Sequence, residues 1–181
     1  MRICLTGGIA CGKSLFASLL KKRGVEILDA DDVVHSIIPA EERRRLAGIV
    51  FNDASARKAL EARVHPLVRR TLAQWSAARD ANALRVEVVP LVYEVGWEGD
   101  YDRIAAIVSS PEAQIARMVE TRGCTHAEAR ARIDAQMPVD EKARRADYVI
   151  ANNGAPVELE IEASRFLDWL RGFAAAGAAS K

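Results

Sequence analysis

A short apolar run, Ile3-Cys4-Leu5, stops at two glycines, and Gly7 to Ser14 then reads G-x-x-x-x-G-K-S ahead of the helical text Leu15-Phe-Ala-Ser-Leu-Leu-Lys-Lys. No other stretch constrains the fold so closely. A strand has to end at the glycines, a tight loop has to follow, and a helix has to start on its far side. Glycines let such a loop wrap closely and turn its backbone N–H groups inward, which makes a concave anion site. The helix that follows adds its own unpaired N–H groups and the positive end of its dipole. Lys13 then reaches the β- and γ-phosphates of a nucleotide, and the Ser14 hydroxyl is placed for Mg²⁺. A chance match at an ordinary βα turn is the alternative. The strand before and the helix after, at the first βα unit, argue against it.

Composition narrows the rest. The chain has 181 residues, 50% hydrophobic and 28% charged, which suits one domain with a real core and a small lid or insert. A net charge of +1 gives no overall attraction to nucleic acid. No apolar run approaches the ~20 residues a membrane span needs. The first residues read as a strand entering the glycine loop, not as a signal peptide. Cys4, Cys11 and Cys124 are scattered without metal-like spacing or a pairing pattern, so a reducing cytoplasm is the simplest expectation. Cys11 is either a small residue filling a tight turn or a thiol acidified by the nearby helix start.

After the first helix, Lys22-Arg23-Gly24 is a stop signal. Val25-Glu-Ile-Leu reads as a strand ending in Asp29-Ala30-Asp31-Asp32. If the extended backbone persists, Asp29 and Asp31 share one side. One could then hold Mg²⁺ through water and the other accept a substrate proton; the competing reading is a helix cap, and Asp32 is expected to be that cap or to face solvent. Pro39 breaks the chain, and 40–75 is helical and arginine-rich, with Asp53 or Asn52 capping its second helix. There, Leu60, Val64, Leu67 and Val68 are expected to face the core, and Pro66 to bend the chain or start a new helix. His65 is either structural or, beside Arg69, an anion ligand. Leu84–Val89 and Ile104–Ser110 are apolar runs suited to parallel strands covered on both faces. Pro111 opens a helix carrying Arg117, and Thr125-His-Ala-Glu128 is a capping box for another carrying Arg130, Arg132 and Gln136. This pair reads as a lid whose arginines neutralise a moving phosphoryl group, or as a solvated face with a Glu128–Arg132 pair. Asp147–Ala151 is the last strand, Asn152-Asn-Gly154 a turn, and Val157–Arg171 the closing helix.

These pieces in this order resemble the dephospho-coenzyme A kinase family. The resemblance rests on Leu5-Thr-Gly-Gly-Ile-x-x-Gly-Lys-Ser, Asp29-Ala-Asp31, His65-Pro66-Leu with Arg69, Pro90-Leu-x-Tyr-Glu94, Arg132-Ile-x-x-Gln136 and Ala146-Asp147-Tyr-Val-Ile-x-Asn152. It implies an α/β P-loop kinase sandwich: a five-stranded parallel sheet with helices on both faces, a helical acceptor-binding region and a helical lid. The implied layout is one domain over 1–173, with core segments 1–32, 84–112 and 143–173, an acceptor-binding insert at 33–83, a lid at 113–142, and a flexible tail at 174–181. The implied reaction moves the ATP γ-phosphate to the ribose 3′-hydroxyl of dephospho-coenzyme A, with Mg²⁺ as cofactor, in a cytoplasmic monomer or weak homo-oligomer that engages neither membrane nor nucleic acid. By the same resemblance, Gly8, Ala10, Cys11, Gly12, Lys13, Ser14, Leu15, Arg117 and Asn152 hold the nucleotide. Lys13, Asp31 and Arg132 serve the transfer, with Asp31 as base. Asp31, His65, Arg69 and Glu94 face the acceptor, and Ser14 and Asp29 the metal.

Three departures from the family pattern stand out. Ile38-Pro39 runs almost directly into Ala40-Glu-Glu, so on the order of a few tens of residues of the acceptor region are missing. Leu15 replaces a threonine, and Val88 an aspartate that gives a second carboxylate for the metal. Two other readings remain: a P-loop kinase with a smaller acceptor, or an ATP-binding homologue without kinase activity.

Overall fold

A computed structural model describes residues 1–78 and 83–178, with backbone alone for 47–52, 54 and 174–178. It divides into two compact units, one of residues 1–27 with 81–181 and one of residues 28–80. The second unit begins five residues before the insert expected at 33–83.

The first unit is built on a parallel sheet. β1 (Ile3–Gly7) is its central strand, flanked by β3 (Arg85–Val88) and β4 (Arg103–Val108); β2 (Glu26–Asp29) lies outside β3, and β5 (Tyr148–Ala151) outside β4. The register sets Cys4 opposite Glu87 and Ile104, and Ala105 opposite Tyr148. All five residues of β1 are buried. A strand covered on both faces has no use for alternation, which explains the unbroken apolar text. The chain leaves β1 at the carboxyl edge of the sheet, where ligands bind in open parallel sheets.

Helices cover both faces. α1 (Lys13–Lys21) and α8 (Pro156–Ala178) pack on each other through a core of Phe16, Leu20, Phe166, Leu167 and Leu170. The Phe16 and Phe166 rings meet edge to face at 5.6 Å. α8 begins one residue before the expected Val157 and runs past Arg171 to Ala178, so the first part of the tail expected to be flexible is helical; 179–181 lie outside the described residues. α5 (Pro111–Arg122) and α6 (His126–Asp134) form the expected helical pair, and α7 (Val139–Arg145) packs on β1 and β4. Ser110 caps α5 with proline at its first position. Thr125 and Glu128 make both bonds of a capping box on α6. Those bonds from Thr125 hold the Glu128 carboxyl below its ordinary range, with Arg132 the smallest contributor. The ion pair on this helix is Arg130–Asp134 at 3.4 Å, in place of the expected Glu128–Arg132. At the opposite edge of the sheet, the buried Glu87 carboxylate takes two hydrogen bonds from Arg2, at 3.0 and 2.8 Å, and one from the Tyr101 hydroxyl at 2.9 Å. That satisfies a charge which burial would otherwise penalise.

The second unit holds α2 (Ala30–Ile37), α3 (Ala40–Asn52) and α4 (Ala54–Ala77). Asp53 caps α4, its Oδ1 accepting from the N–H groups of Ser55 and Ala56 at 2.8 and 3.0 Å. Two expectations for α4 are corrected. Pro66 does not start a new helix: α4 runs through it without a break. Proline removes one backbone donor, and a helix of 24 residues has enough remaining bonds to continue past that loss. Leu67 is 42% exposed. The buried stripe is Val64, Val68 and Leu72, a strict i, i+4, i+8 row, and Leu67 lies one residue round the helix from it.

Candidate active site

The segment from Gly7 to Ser14 forms a closed cup. Gly7 has φ +148°, and a Cβ there would strike the Ile107 carbonyl. Gly12 has φ +94°, and a Cβ would strike Asn152 Nδ2. Ala10, at φ 56°, is the one non-glycine residue with positive φ among the described residues. This sequence of turns leaves the N–H groups of Ala10 and Gly12 without a partner among the described residues. Orphan amides at a helix start are the donors an anion needs. Lys13 Nζ lies across the cup, donating to the carbonyls of Gly7 at 2.9 Å and Gly8 at 2.8 Å. Ser14 is exposed in the first turn of α1, and Leu15 is 49% exposed beside it. Cys11 is fully buried, and burial pushes its thiol up, so it fills the turn and is not an acidified thiol.

The cup is held from outside, carbonyl by carbonyl. Gln114 Nε2 donates to the Ile9 carbonyl at 2.7 Å, Arg117 Nη1 to that of Ala10 at 3.1 Å, and Asn152 Nδ2 to that of Cys11 at 2.9 Å. Arg117 also donates to Ser109 Oγ at 2.8 Å and to the Asn152 carbonyl at 2.7 Å. The Ile9 N–H donates to Gln136 Oε1 at 3.0 Å. Pinning the carbonyls outward is what turns the neighbouring amides inward. Arg117 and Asn152, singled out for the nucleotide, thus have a visible task in shaping the loop. Arg132 is exposed on α6.

Glu94 follows β3 in a run of turns. Its Oε1 accepts from Lys142 Nζ at 2.7 Å and from the Met137 N–H at 3.1 Å. Lys142 has no exposed side chain and also donates to the Pro90 carbonyl at 2.8 Å. Sequence reasoning passed over Lys142 and Gln114. The available signals were spacings: Lys142 lies three residues after Val139, and Gln114 four before the buried Met118, so each falls on the inward face of its helix.

The remaining candidates belong to the second unit. The extended backbone that would put Asp29 and Asp31 on one side does not persist: α2 starts at Ala30, and residues two apart on a helix point in different directions. Asp29 is the N-cap, its Oδ1 accepting from the Asp31 N–H at 2.9 Å, and of the two places expected for Asp32 it is the solvent-facing one that it takes. Asp31 and Asp32 are both exposed in the first turn. His65 is half-buried and Arg69 exposed, one turn apart on α4. Val88 is buried in the core on β3.

No group of three or more His, Cys, Asp or Glu side chains among the described residues could hold a metal ion. A Mg²⁺ ion carried by a nucleotide needs no such group. Such an ion keeps several waters and takes its oxygens from phosphates and one or two side chains, and the exposed Ser14 hydroxyl offers one.

The family model described as dephospho-CoA kinase matches residues 1–43 and 39–158. The two matched segments overlap at residues 39–43. A dephospho-CoA kinase of Anaeromyxobacter dehalogenans is 39% identical over 94% of this chain and 92% of its own length. That alignment spans 194 positions, more than the 181 residues of this chain, so the relative carries residues that are skipped here. Among solved structures, TT1252 from Thermus thermophilus is 34% identical with a TM-score of 0.79, covering 94% of this chain and 97% of that one. The dephospho-CoA kinase from Campylobacter jejuni is 26% identical with a TM-score of 0.70, covering 92% and 95%.

Proposed function

Because the chain belongs to the dephospho-CoA kinase family, and so is a phosphotransferase that uses ATP to phosphorylate a hydroxyl of dephospho-CoA in coenzyme A biosynthesis, we propose the following division of labour among its residues. The cup from Gly8 to Leu15 holds the triphosphate. Its amides meet the phosphate oxygens, and Lys13 leaves the Gly7 and Gly8 carbonyls for the β- and γ-phosphates. Phosphoryl transfer asks little covalent work of the protein, so positioning and charge neutralisation carry the rate. Ser14 and Asp29, the latter through water, are the side chains that would hold Mg²⁺, which would supply neutralising charge to the phosphates. Arg117 and Asn152 keep the loop in shape and border the nucleotide. Arg132 comes over the moving phosphoryl group when the lid closes, which also excludes the water that would turn transfer into hydrolysis.

On the acceptor side, Asp31 aligns the ribose 3′-hydroxyl and takes its proton, while His65, Arg69 and Glu94 contact the rest of dephospho-CoA. Asp31 suits this role because it is exposed and ionisable, and the cap geometry of Asp29 fixes its backbone. Dephospho-CoA as acceptor is carried by family membership; the site's own geometry carries phosphate binding. No helix of the described residues is long and apolar enough to cross a membrane.

The observation that carries the reading is the pinned cup, with orphan amides inside and Lys13 across its mouth. Its test is direct: purified protein, ATP, Mg²⁺ and dephospho-CoA, with coenzyme A as the readout, in parallel with nucleosides, mononucleotides and small alcohols. Coenzyme A formation that disappears in Lys13→Ala is the expected result. ATP hydrolysis that no acceptor accelerates would sink the kinase assignment.

A further inference from the structure

Lys142 has no part in the roles above, yet it is the one fully buried cation among the described residues. Its surroundings form a closed circuit. The Ile9 N–H of the phosphate loop donates to Gln136 Oε1 at 3.0 Å. The next residue, Met137, donates its N–H to Glu94 Oε1 at 3.1 Å. That oxygen also accepts from Lys142 Nζ at 2.7 Å. Nζ reaches on to the Pro90 carbonyl at 2.8 Å, and the same carbonyl accepts from Thr6 Oγ1 at 2.9 Å. Thr6 is the last residue before Gly7, which returns the circuit to the loop. Lys142 is its junction, joining the turn after β3, the segment before α7 and, through Pro90, the end of β1.

The circuit uses only one oxygen of Glu94. Two donors converge on Oε1, while Oε2 has no hydrogen bond among the described residues, and the side chain is 21% exposed. A carboxylate clamped by one oxygen, with the other left to accept, is arranged to meet a donor group. We propose that Lys142 is a positioning residue for phosphoryl transfer: it fixes the Glu94 carboxylate relative to the phosphate loop, so that Oε2 receives a hydroxyl or amino group of the acceptor. The proposal rests on the reading that Glu94 faces the acceptor. It adds that the carboxylate is useful only when Lys142 holds it. A flexible glutamate on a turn would lose side-chain freedom on every binding event, and a clamped one has lost it in advance.

The alternative is a buried ion pair that serves stability alone. Kinetics well below the melting temperature separate the two, using Lys142→Met, Glu94→Gln and the double variant against wild type, with ATP and dephospho-CoA varied in turn. Loss of a charged hydrogen bond to the acceptor should raise the KM for dephospho-CoA about tenfold in either single variant, with the KM for ATP changed less than about twofold. In the Glu94→Gln background, Lys142→Met should then change the acceptor KM hardly at all, because its route to the substrate is gone. A lower melting temperature with unchanged kinetic constants overturns the proposal. So do independent, multiplying effects, or equal changes in both KM values. If Lys142→Met does not fold, Lys142→Gln keeps a donor for the Pro90 carbonyl and carries the same comparison. Lys13→Ala in the same series keeps the two readings apart. If it is inactive while the acceptor KM ignores Lys142 and Glu94, only the present inference fails; if it stays active, the phosphate-loop reading fails.

Discussion

The phosphate loop and the helical unit of residues 28–80 use their sequences in opposite ways. In the loop, backbone does the binding, so the residue types are dictated by conformation: Gly7 and Gly12 sit at positive φ where a Cβ would strike a carbonyl or an amide. In the helical unit, two aspartate caps and buried apolar side chains, Val33 and Ile38 with the row of Val64, Val68 and Leu72, shape the chain. Its solvent-facing positions are under little conformational demand, so the roles proposed there rest on side chains that a helix of any purpose could carry. A backbone-built site announces itself in text; a side-chain-built site on helices does not.

The largest effect should come from the cup. Lys13→Ala removes a charge from the phosphates while leaving the core of α1, which Phe16, Leu19 and Leu20 supply, untouched. Turnover should fall by about 10³-fold or more, with circular dichroism and melting temperature close to wild type. Near-normal turnover would erase the contrast, because the loop would then be merely a turn. Next is Asp31→Asn, the corresponding probe of the helical unit. Removing a general base should slow the chemical step by about 10²-fold, with ATP affinity unaltered, as read in single-turnover experiments. An unchanged single-turnover rate removes Asp31 from the chemistry.

Gly12→Ala probes conformation without touching charge. A methyl group at φ +94° is strained and meets Asn152, whose Nδ2 also holds the Cys11 carbonyl. The expected loss is about 1–3 kcal/mol of stability, together with weakened ATP binding. A variant that binds ATP normally would show that the loop's shape is not what makes the site.

The same contrast explains how much was legible in advance. The loop, the order of strands and helices, the capping box at Thr125 and the Asp53 cap were open to reading, because each rests on a local rule that binds neighbouring residues. Asp29 and Asp31 stayed open between an extended pair and a helix cap because strand and helix meet between them, and only the true start of α2 decides which aspartate caps. The new helix that Pro66 could have started is absent for a related reason. A rule about one residue's missing N–H was set against a long helix that continues regardless. Lys142 and Gln114 lay beyond local rules, since their partners at Glu94, Pro90 and Ile9 are dozens of residues away in the chain and adjacent only in the fold.

The smallest predicted effect separates two tasks that fall on one residue. Asp29 caps α2 through Oδ1, and its carboxylate is also proposed to serve the metal. Asn is as good a cap as Asp, whereas Ala is not. Asp29→Asn should therefore leave stability within about 0.5 kcal/mol of wild type, and Asp29→Ala should cost about 1 kcal/mol, both read by urea denaturation. Activity should divide differently. If the charge matters to the metal, both variants need more Mg²⁺ for half-maximal rate, and to a similar degree. If Asp29→Asn matches wild type in its Mg²⁺ requirement while Asp29→Ala alone is impaired, the residue is a cap and nothing more. The acidic end of β2 would then join the rest of the helical unit as shape without chemistry, and the metal would depend on Ser14 and the phosphates.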